Sequence, residues 1–579
     1  MPRPNDEIAA VLQEYADLMA ITGGDAFKVR AYEKAARAVA GYPEDVSRLD
    51  ETGLRAIPQV GRSIADKVVE YLRTGTIAAV EEARARIPAG VRELTAIPTL
   101  GPKRAQQLHE RLHVSSVAEL ADAIHQGRLE DLRGFGPKSA ENLLHGIALL
   151  QQSGGRVLLD TATETAEEVL AELSRITGCV RCGYAGSLRR MRETVGDIDL
   201  LVAAEDSAPF MEAFTALPHT AEVIARGGTK TSVRTTTGLQ LDLRVLPPDS
   251  WGAGLQYFTG SKAHNIGLRT LALHHGLKLS EYGLFQAESG RPVASRTEEE
   301  VYERLGLPWI PPPLREDRGE ITAGLHGELP QPVRQEDLRG DLHTHTDLTD
   351  GLAGLEEMVA AAARLGYSYY AVTDHAPNLF MQRMTDEKML AQRERLRALD
   401  GAGRGRRMRL LHGTELNIDP EGGVDWPEEF LAGFDLCVAS VHSHLTLSRA
   451  EQTRRLVHAC ENPYVNIIGH PTGRLIGRRP GIDADLDQVF AACARTGTAL
   501  EINAQPDRLD LRDEDILRAR RHGVVFAVDS DAHTIGALGA IRYGVATAQR
   551  GWLTKDDVLN AWPLTRLRRF LLAKRTVHA

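Results

Sequence analysis

Two aspartates, Asp197 and Asp199, stand two apart at the head of the apolar run that includes Leu200, Leu201 and Val202. Read as a strand, the run puts both carboxylates on one face, because side chains at i and i+2 point the same way. Two like charges that close repel unless a hard divalent cation lies between them, with phosphate oxygens completing its shell. A lone pair of this kind is equally a strand edge whose acids face water. Its neighbours favour chemistry. Gly186-Ser187-Leu188-Arg189-Arg190, just upstream, offers backbone N–H groups and guanidinium groups to a phosphate. Downstream, Leu239-Gln240-Leu241-Asp242-Leu243-Arg244 alternates strictly, which places leucines on one face and Gln240, Asp242 and Arg244 on the other. Three acids and a phosphate-binding turn are the parts of a nucleotidyl-transfer centre.

A second set of candidates lies in the C-terminal half. His343 and His345 put two imidazoles on one strand face at a spacing that chelates one ion. Asp350, His375, Glu415, His442, His470, Asp531 and His533 follow, and most of them close a short apolar run such as Tyr369–His375 or Leu436–His442. These runs alternate with helical segments rich in Ala, Leu and Arg. That is βα repetition, seven strands by count, with polar residues where strands end, the catalytic rim of a barrel. Mixed nitrogen and oxygen donors suit Mn²⁺ or Zn²⁺ better than Mg²⁺. His412, His444, His458 and His522 fall outside this pattern and read as surface or core histidines.

Elements must bring these residues together, and 579 residues are too many for one core. The net charge of −10 gives no global basic signal for nucleic acid; if DNA is a partner, the grip must be local or made by backbone groups and metal ions. From Asn5 to about Gly155 the pattern is helical, and one motif recurs three times: Ile57–Ala65, Ile97–Ala105 and Leu132–Ala140. Each is a turn ending in glycine (Gly61, Gly101, Gly136) that feeds a helix N-terminus, a geometry that presents N–H groups to a phosphate, with Lys103 and Lys138 beside it. Simple helix–helix turns would look similar. Only the third copy keeps Gly-x-Gly, through Gly134; Gln59 and Thr99 stand at that position in the others. Pro311-Pro312-Pro313 opens a stretch that reads as a linker, extended where it is proline-rich. No run is long enough to span a bilayer, and five scattered cysteines suit free thiols in a reducing cytosol, so a cytoplasmic protein is expected.

In order and spacing these motifs resemble two known families. The G-S-L-R-R…G-D-I-D set, L-D-L-R, and Tyr257-Phe258-Thr259-Gly260-Ser261 followed by Asn265 and Arg269 are similar to the family X DNA polymerases, from the N-terminus to about Glu316. The resemblance implies that Asp197, Asp199 and Asp242 hold two Mg²⁺ (or Mn²⁺) ions, one toward the primer 3′-OH and one toward the triphosphate of a dNTP. By the same likeness Gly186, Ser187 and Arg190 cradle the β and γ phosphates, Tyr257 and Phe258 lie under the sugar with Gly260 in the same pocket, and Asn265 meets the base. Arg269 meets the template minor groove, Arg244 is a DNA contact, and the three repeats are helix-hairpin-helix motifs that hold a DNA backbone. Gln240 departs from the family's arginine two places before the third acid, and Lys262 replaces an acid, changes that bear on nucleotide affinity and pairing stringency. Lys67 falls at the Schiff-base lysine of a 5′-deoxyribose-phosphate lyase, with Lys28 and Tyr32 at its basic and aromatic positions. In a chain where only eleven of 69 basic residues are lysine, it is either that neutral nucleophile or a phosphate contact.

Residues 339–579 resemble the PHP (polymerase and histidinol phosphatase) domain, with all nine ligand positions present. The likeness implies up to three Mn²⁺ or Zn²⁺ ions. His343, His345, Glu415 and Asp531 would share one, Glu415, His442 and His470 a second, and Asp350, His375 and His533 a third. The expected architecture is multidomain: a helix-hairpin-helix region (1–80 lyase-like, 81–155 fingers-like), an α+β palm (156–245) and thumb (246–312), a linker (313–338) and a distorted seven-stranded α/β barrel (339–579). The expected function is a monomeric short-gap repair polymerase, working on gapped or primed duplex in base excision repair. Its PHP half would act as a 3′–5′ exonuclease and 3′-end processor and could incise abasic sites. A nuclease or phosphatase whose polymerase half only positions DNA is the competing enzyme reading, against which three intact acids argue; a non-catalytic repair scaffold is the other, and it predicts binding with no metal-dependent turnover in either half.

Overall fold

The computed structural model describes residues 4–577 apart from 22–24, 41, 43–45, 58, 88–90, 92–93, 95–96, 98–99, 101, 130–131, 133–134, 137–138, 141–142, 145–146, 148–154, 380–383 and 403–407. The N-terminal region is helical. Helix α1 (Pro4–Ile21) lies along α2 (Ala26–Ala40), and α3 (Arg62–Thr74) and α4 (Pro102–Leu112) follow. Apolar residues four apart, such as Ile8, Leu12 and Ala16, form the buried stripe that joins Ala35, Val39, Ile64, Val68, Leu108 and Phe135 in one core. Gly61 is the N-cap of α3 in extended conformation, while Gln59 is held at φ 66°, a left-handed conformation glycine adopts far more easily. The Gly136 carbonyl accepts from the Ser139 and Ala140 N–H groups at 2.8 and 3.1 Å, opening the helical turn of the third repeat. Gly101, Gly134 and Lys138 lie outside the described residues, as does the side chain of Lys103.

The next unit is a five-stranded sheet of β1 (Arg181–Tyr184), β2 (Asp197–Ala203), β3 (Thr220–Arg226), β4 (Lys230–Thr235) and β5 (Gln240–Leu246), in the order β1-β2-β5-β4-β3. Only β2 and β5 pair in parallel. Ile198, Leu200 and Val202 of β2 and Leu241, Leu243 and Val245 of β5 bury one face against the helix Leu159–Leu173, while Leu201 and Leu246 pack toward Trp251 on the other. Both acids of β2 lie on that second face. The Gly-Ser turn is a single helical turn, α5 (Gly186–Arg189), between β1 and β2. Helices α6 (Trp251–Thr259) and α7 (Lys262–His274) and a three-stranded antiparallel sheet then share a separate core around Leu268, Leu284 and Tyr302.

The stretch read as an extended linker is packed. Pro312–Leu314 forms a 3₁₀ turn, and α8 (Glu320–His326) follows. Arg315 is fully buried, bonding Glu298 at 2.6 Å, and Glu320 meets His264 at 2.6 Å in an equally buried pair. Charges leave water only when partnered, and a partner on the neighbouring unit is not visible in a Pro/Gly-rich composition.

The C-terminal unit is a seven-stranded parallel sheet in sequence order: β6 (Gly340–Asp341), β7 (Tyr369–Val372), β8 (Arg409–Asn417), β9 (Leu436–Ser440), β10 (Ile467–Ile468), β11 (Ala499–Asn503) and β12 (Phe526–Asp529). A bridge between Thr344 and Ala532 brings the first and last strands together, so the sheet curls into a nearly closed barrel. Leu342, Ala371, Leu411, Val438, Ile467, Ala499 and Ala527, from successive strands, form one interior cluster. Strands buried on both sides explain continuous apolar runs such as Tyr369-Tyr370-Ala371-Val372. The two halves are joined by shared packing. Leu509 and Tyr543 from the barrel complete the palm core, Trp552 packs on the thumb core, and Arg474 pairs with Glu193 at 2.7 Å.

Candidate active sites

Parallel pairing of β2 and β5 sets Asp199 directly opposite Asp242, with Asp197 opposite Gln240. Three carboxylates from two strands therefore converge on one face. Burial and the neighbouring charges of Asp197 and Asp242 push the Asp199 carboxyl up to about 7. Burial also works against ionisation of Asp242, but hydrogen bonds from Ser232, Gln240 and Lys230 outweigh it and hold this carboxyl below its ordinary value. Concentrated negative charge that raises one acid's own proton affinity fits a bound divalent cation, and all-oxygen donors suit Mg²⁺. Gly186 sits at φ 61° with its Cα against Asp199, where any Cβ would collide with the carboxylate. That contact lets the α5 turn approach the acids.

The residues expected around a nucleotide are tied to this turn. Arg189 bonds the Thr259 hydroxyl at 2.6 Å and forks onto Glu298 at 2.8 Å, and Arg190 donates to the Thr259 carbonyl at 2.5 Å. Tyr257 and Phe258, at the end of α6, meet edge to face at 5.1 Å, and Gly260 caps the helix at φ 67°. Asn265 on α7 donates to the Tyr257 carbonyl at 2.7 Å and accepts from Gln256 at 2.7 Å. Arg269 lies over the Tyr257 ring and Arg244 over the Phe258 ring, at 5.8 and 4.4 Å. Ser187 is half-buried in the turn. The palm and nucleotide-pocket candidates are thus brought together around the α5 turn and the end of α6. Lys67 is apart from them on α3, its Nζ 5.7 and 6.0 Å from the ring centres of Tyr15 and Tyr32, whereas Lys28 is exposed on α2.

At the barrel rim all nine predicted donors converge. His343 Nε2 and His345 Nε2 are 3.2 Å apart and face Glu415 Oε2 at 3.5 and 3.6 Å; Asp531 Oδ1 is 3.7 and 3.2 Å from the same nitrogens. His442 and His470 reach Glu415 Oε1 at 3.1 and 3.0 Å. His375 and His533 each come within 3.3 Å of Asp350. His375 also turns Nδ1 to Glu415 at 2.9 Å, so it joins two of the expected groups rather than one. Burial disfavours a charged His375, but Glu415 and Asp350 outweigh it and push the ring up to about 10; His533 rises to about 9 through Asp350 and Asp531, again against burial. Tautomers are fixed from outside. His343 Nδ1 donates to Glu501 at 2.6 Å, His442 Nδ1 to Asn417 at 2.7 Å and His533 Nδ1 to the Asp531 carbonyl at 2.8 Å. In these three rings the Nδ1–H points away and Nε2 is left toward the carboxylates, and together with the other rings this makes a mixed donor set that fits transition-metal or zinc ions. His412 is, as expected, a core histidine, stacked on Phe434 and held down to about 3 by burial and Arg393; His444 and His458 are exposed.

Family models match four segments of the chain: a helix-hairpin-helix domain over 3–77, a SAM-like helix-hairpin-helix tandem over 91–148, the DNA polymerase beta thumb over 254–316 and the PHP domain over 341–505. The DNA polymerase/3′-5′ exonuclease PolX of Bacillus subtilis is 35% identical over 568 residues, 98% of this chain and 99% of that protein. The chain belongs to the PolX family. DNA polymerase lambda of Rattus norvegicus is 28% identical over 324 residues, 51% of this chain and 53% of that one. A probable phosphatase of Thermoanaerobacter sp. is 30% identical over 247 residues, 41% of this chain and 95% of its own length.

In this PolX-family chain the site includes residues that sequence spacing did not single out. Lys230 on β4 approaches Asp242 at 3.2 Å, a cation beside the acid where Gln240 replaces an arginine. Its only sequence signal is retention of lysine in an arginine-rich chain, because the cross-strand register that brings it there is tertiary. Glu501 holds both the His343 ring and, through Oε2, the His470 N–H. It lies on strand β11, one of the parallel barrel strands, but no spacing along the chain marks its role. Asn417, clamped by Asp425 at 2.6 Å through its N–H, orients His442. Glu316 bonds Arg190 at 3.0 Å from beyond the thumb strands.

Proposed function

We propose that this chain is a DNA polymerase and 3′–5′ exonuclease that fills short gaps in duplex DNA and processes 3′ ends on the same strand. The observation that carries the reading is the pairing, in one chain, of two centres with different donor chemistry: three carboxylates beside the Gly-Ser turn that approaches Asp199, and a nine-donor histidine and carboxylate cluster on a barrel rim. Divalent cations, Mg²⁺ or Mn²⁺ in the first and Mn²⁺ or Zn²⁺ in the second, supply Lewis-acid chemistry that activates an attacking oxygen and neutralises phosphate charge. The protein does the rest. Asp197, Asp199 and Asp242 orient a primer 3′-OH toward the α-phosphate of a dNTP. The α5 N–H groups, Ser187 and Arg190 hold its triphosphate, Tyr257 and Phe258 pack against the sugar, and Asn265 presents its amide to the base. Gly61 and the other repeat glycines hold the DNA backbone through helix N-termini. At the rim, Glu501 and Asn417 lock the rings so that a phosphodiester meets fixed nitrogens and oxygens. The domain limits given from sequence are retained, with 313–338 as the strap between thumb and barrel.

Lys67 is proposed as the nucleophile of a 5′-deoxyribose-phosphate lyase, supported by its Nζ beside two tyrosine rings on a half-buried residue, one helical turn and a half beyond the Gly61 cap. Borohydride trapping on incised abasic DNA tests it: the adduct must vanish in Lys67→Ala. We place the chain in the cytoplasm as a monomer; its five cysteines are free thiols, and among the described residues no helix is long and apolar enough to cross a membrane. One gapped, 3′-labelled duplex tests the whole reading, metal by metal. Asp197→Ala is expected to abolish extension and keep trimming, and His343→Ala to do the reverse. Full extension by the first or full trimming by the second would refute the site assignments.

A further inference from the structure

Arg190, which the proposed function places on the triphosphate, is not held by the polymerase half alone. Its Nε bonds Glu316 Oε1 at 3.0 Å, and the same oxygen receives Nη1 of Arg550 at 2.9 Å. Arg550 is the last residue of α10 (Ile541–Arg550), an element of the C-terminal barrel. Its Nη1 also donates to the Arg190 carbonyl at 2.7 Å, the C-terminal end of the α5 turn. Nη2 is anchored on Asp513 Oδ2 at 2.6 Å, at the start of α9 (Asp513–Arg521), and Arg318 shares that oxygen at 3.1 Å. The Arg550 side chain is 4% exposed and the Glu316 side chain 12%. A barrel residue therefore fixes the backbone of the phosphate-binding turn, and it screens the acid that orients the turn's guanidinium.

We propose that Arg550 is a positioning residue for nucleotide binding, so that dNTP affinity in the polymerase half depends on a side chain supplied by the PHP half. The physical logic is charge sharing. Glu316 carries one negative charge between two arginines, and while Arg550 holds part of it, Arg190 keeps hydrogen-bonding capacity for a phosphate. Without Arg550 the carboxylate pairs with Arg190 alone and presents its remaining charge toward an incoming triphosphate; both effects weaken binding. The turn's terminal carbonyl also loses its donor, which loosens the α5 geometry that Gly186 sets against Asp199. Neither effect touches the barrel rim, so exonuclease activity is an internal control for folding.

The inference rests on the reading of the α5 turn as the triphosphate site, and the experiment separates the two. Steady-state gap filling is measured for wild type and for Arg190→Ala, Arg550→Gln, Arg550→Lys and the double variant Arg550→Gln with Glu316→Gln, with 3′ trimming assayed in parallel. Arg550→Gln is expected to raise KM for dNTP roughly 5- to 20-fold with kcat within about threefold, since it removes binding rather than chemistry. Arg550→Lys keeps the charge but cannot fork between Glu316 and Asp513, and is expected to fall between the two. The double variant removes the stranded carboxylate and is expected to return KM to within about threefold of wild type, a coupling that a merely structural defect would not show. If Arg190→Ala raises KM while Arg550→Gln stays within twofold of wild type, or if the double variant is no better than the single one with trimming intact, the proposal is overturned. If Arg190→Ala itself leaves KM unchanged, the triphosphate reading fails first, and the proposal with it.

Discussion

At the scale of single residues, Asp199 is the most informative titratable group. Its carboxyl is raised to about 7 by burial and by two neighbouring acids, so below that pH it holds a proton that a cation must displace. Loading of the polymerase centre at pH 6 is therefore expected to release close to one proton, and apparent Mg²⁺ affinity to fall up to about tenfold per pH unit below 7. Calorimetric titration in two buffers of different ionisation enthalpy, with the PHP centre already loaded, measures this; a buffer-independent heat would contradict it. Glu501 is the corresponding residue of the barrel rim. Replacing it by glutamine weakens the hold on His343 and on the His470 N–H, and the expected result is a roughly 10- to 100-fold loss of metal affinity in the PHP centre. Trimming should recover with excess Mn²⁺ and extension should not change. Loss of trimming that no metal concentration restores would instead mark Glu501 as structural.

At the scale of elements, the α5 turn shows why a strand pair and a short helix make a site that neither makes alone. Alternation along β2 and β5 assigns faces, but only their parallel register places Asp199 beside Asp242. The turn then approaches the acids through a residue with no Cβ at positive φ. Gly186→Ala is expected to cost about 1–2 kcal/mol of backbone strain and to push Asp199 aside. Extension should fall at least about tenfold while trimming is untouched, because a reacting geometry displaced by about 1 Å loses much of its rate. Near-normal extension by Gly186→Ala would mean that the turn stands off from the acids during turnover. Helix-hairpin-helix repeats illustrate the limit of element-level reading: the Gly61 and Gly136 turns were legible as feeding helices, whereas the motif marked Gln59 only as a glycine position filled by another residue, and the fold shows that Gln59 takes the left-handed conformation there.

At the scale of the whole molecule, the two halves are one interlocked body rather than beads on a string. Leu509 and Tyr543 belong to the palm core although they come from the barrel half, and Arg550, Arg474 and Arg318 carry ion pairs across the same boundary. The barrel cluster should therefore set the stability of much of the chain. With metal stripped, His375 and His533 titrate near 10 and 9 in the folded state, above the unfolded value of about 6.5. Their protonation thus stabilises the fold fully below about pH 6.5, and that contribution is lost as pH rises through 9 to 10. Scanning calorimetry on chelated protein is expected to show a falling Tm from pH 6.5 to 10, while metal-loaded protein, in which cations replace those protons, holds its Tm. A metal-free Tm that rises over this range would contradict the arrangement of charges at the rim.

Chemistry-bearing residues were legible because few other pressures on a sequence produce a D-x-D strand start, an alternating third acid, an H-x-H pair and seven further candidate ligands, most of them at strand ends. Seven strands were legible because a parallel barrel buries both faces of each strand and leaves unmistakable apolar runs. What the sequence could not carry were relations between elements distant along the chain. Lys230 reaches Asp242 only through the β4–β5 register, and His375 bridges two groups only because its strand end lies beside that of Glu415. Arg315 and Glu320 turn a proline-rich strap into a buried joint because their partners, Glu298 and His264, wait on the thumb. Each depends on a contact whose distance is set by packing and not by spacing in the chain. The sequence by itself determined two candidate metal centres and the elements that bear them; the tertiary structure alone decided that a side chain of one half, Arg550, reaches into the other.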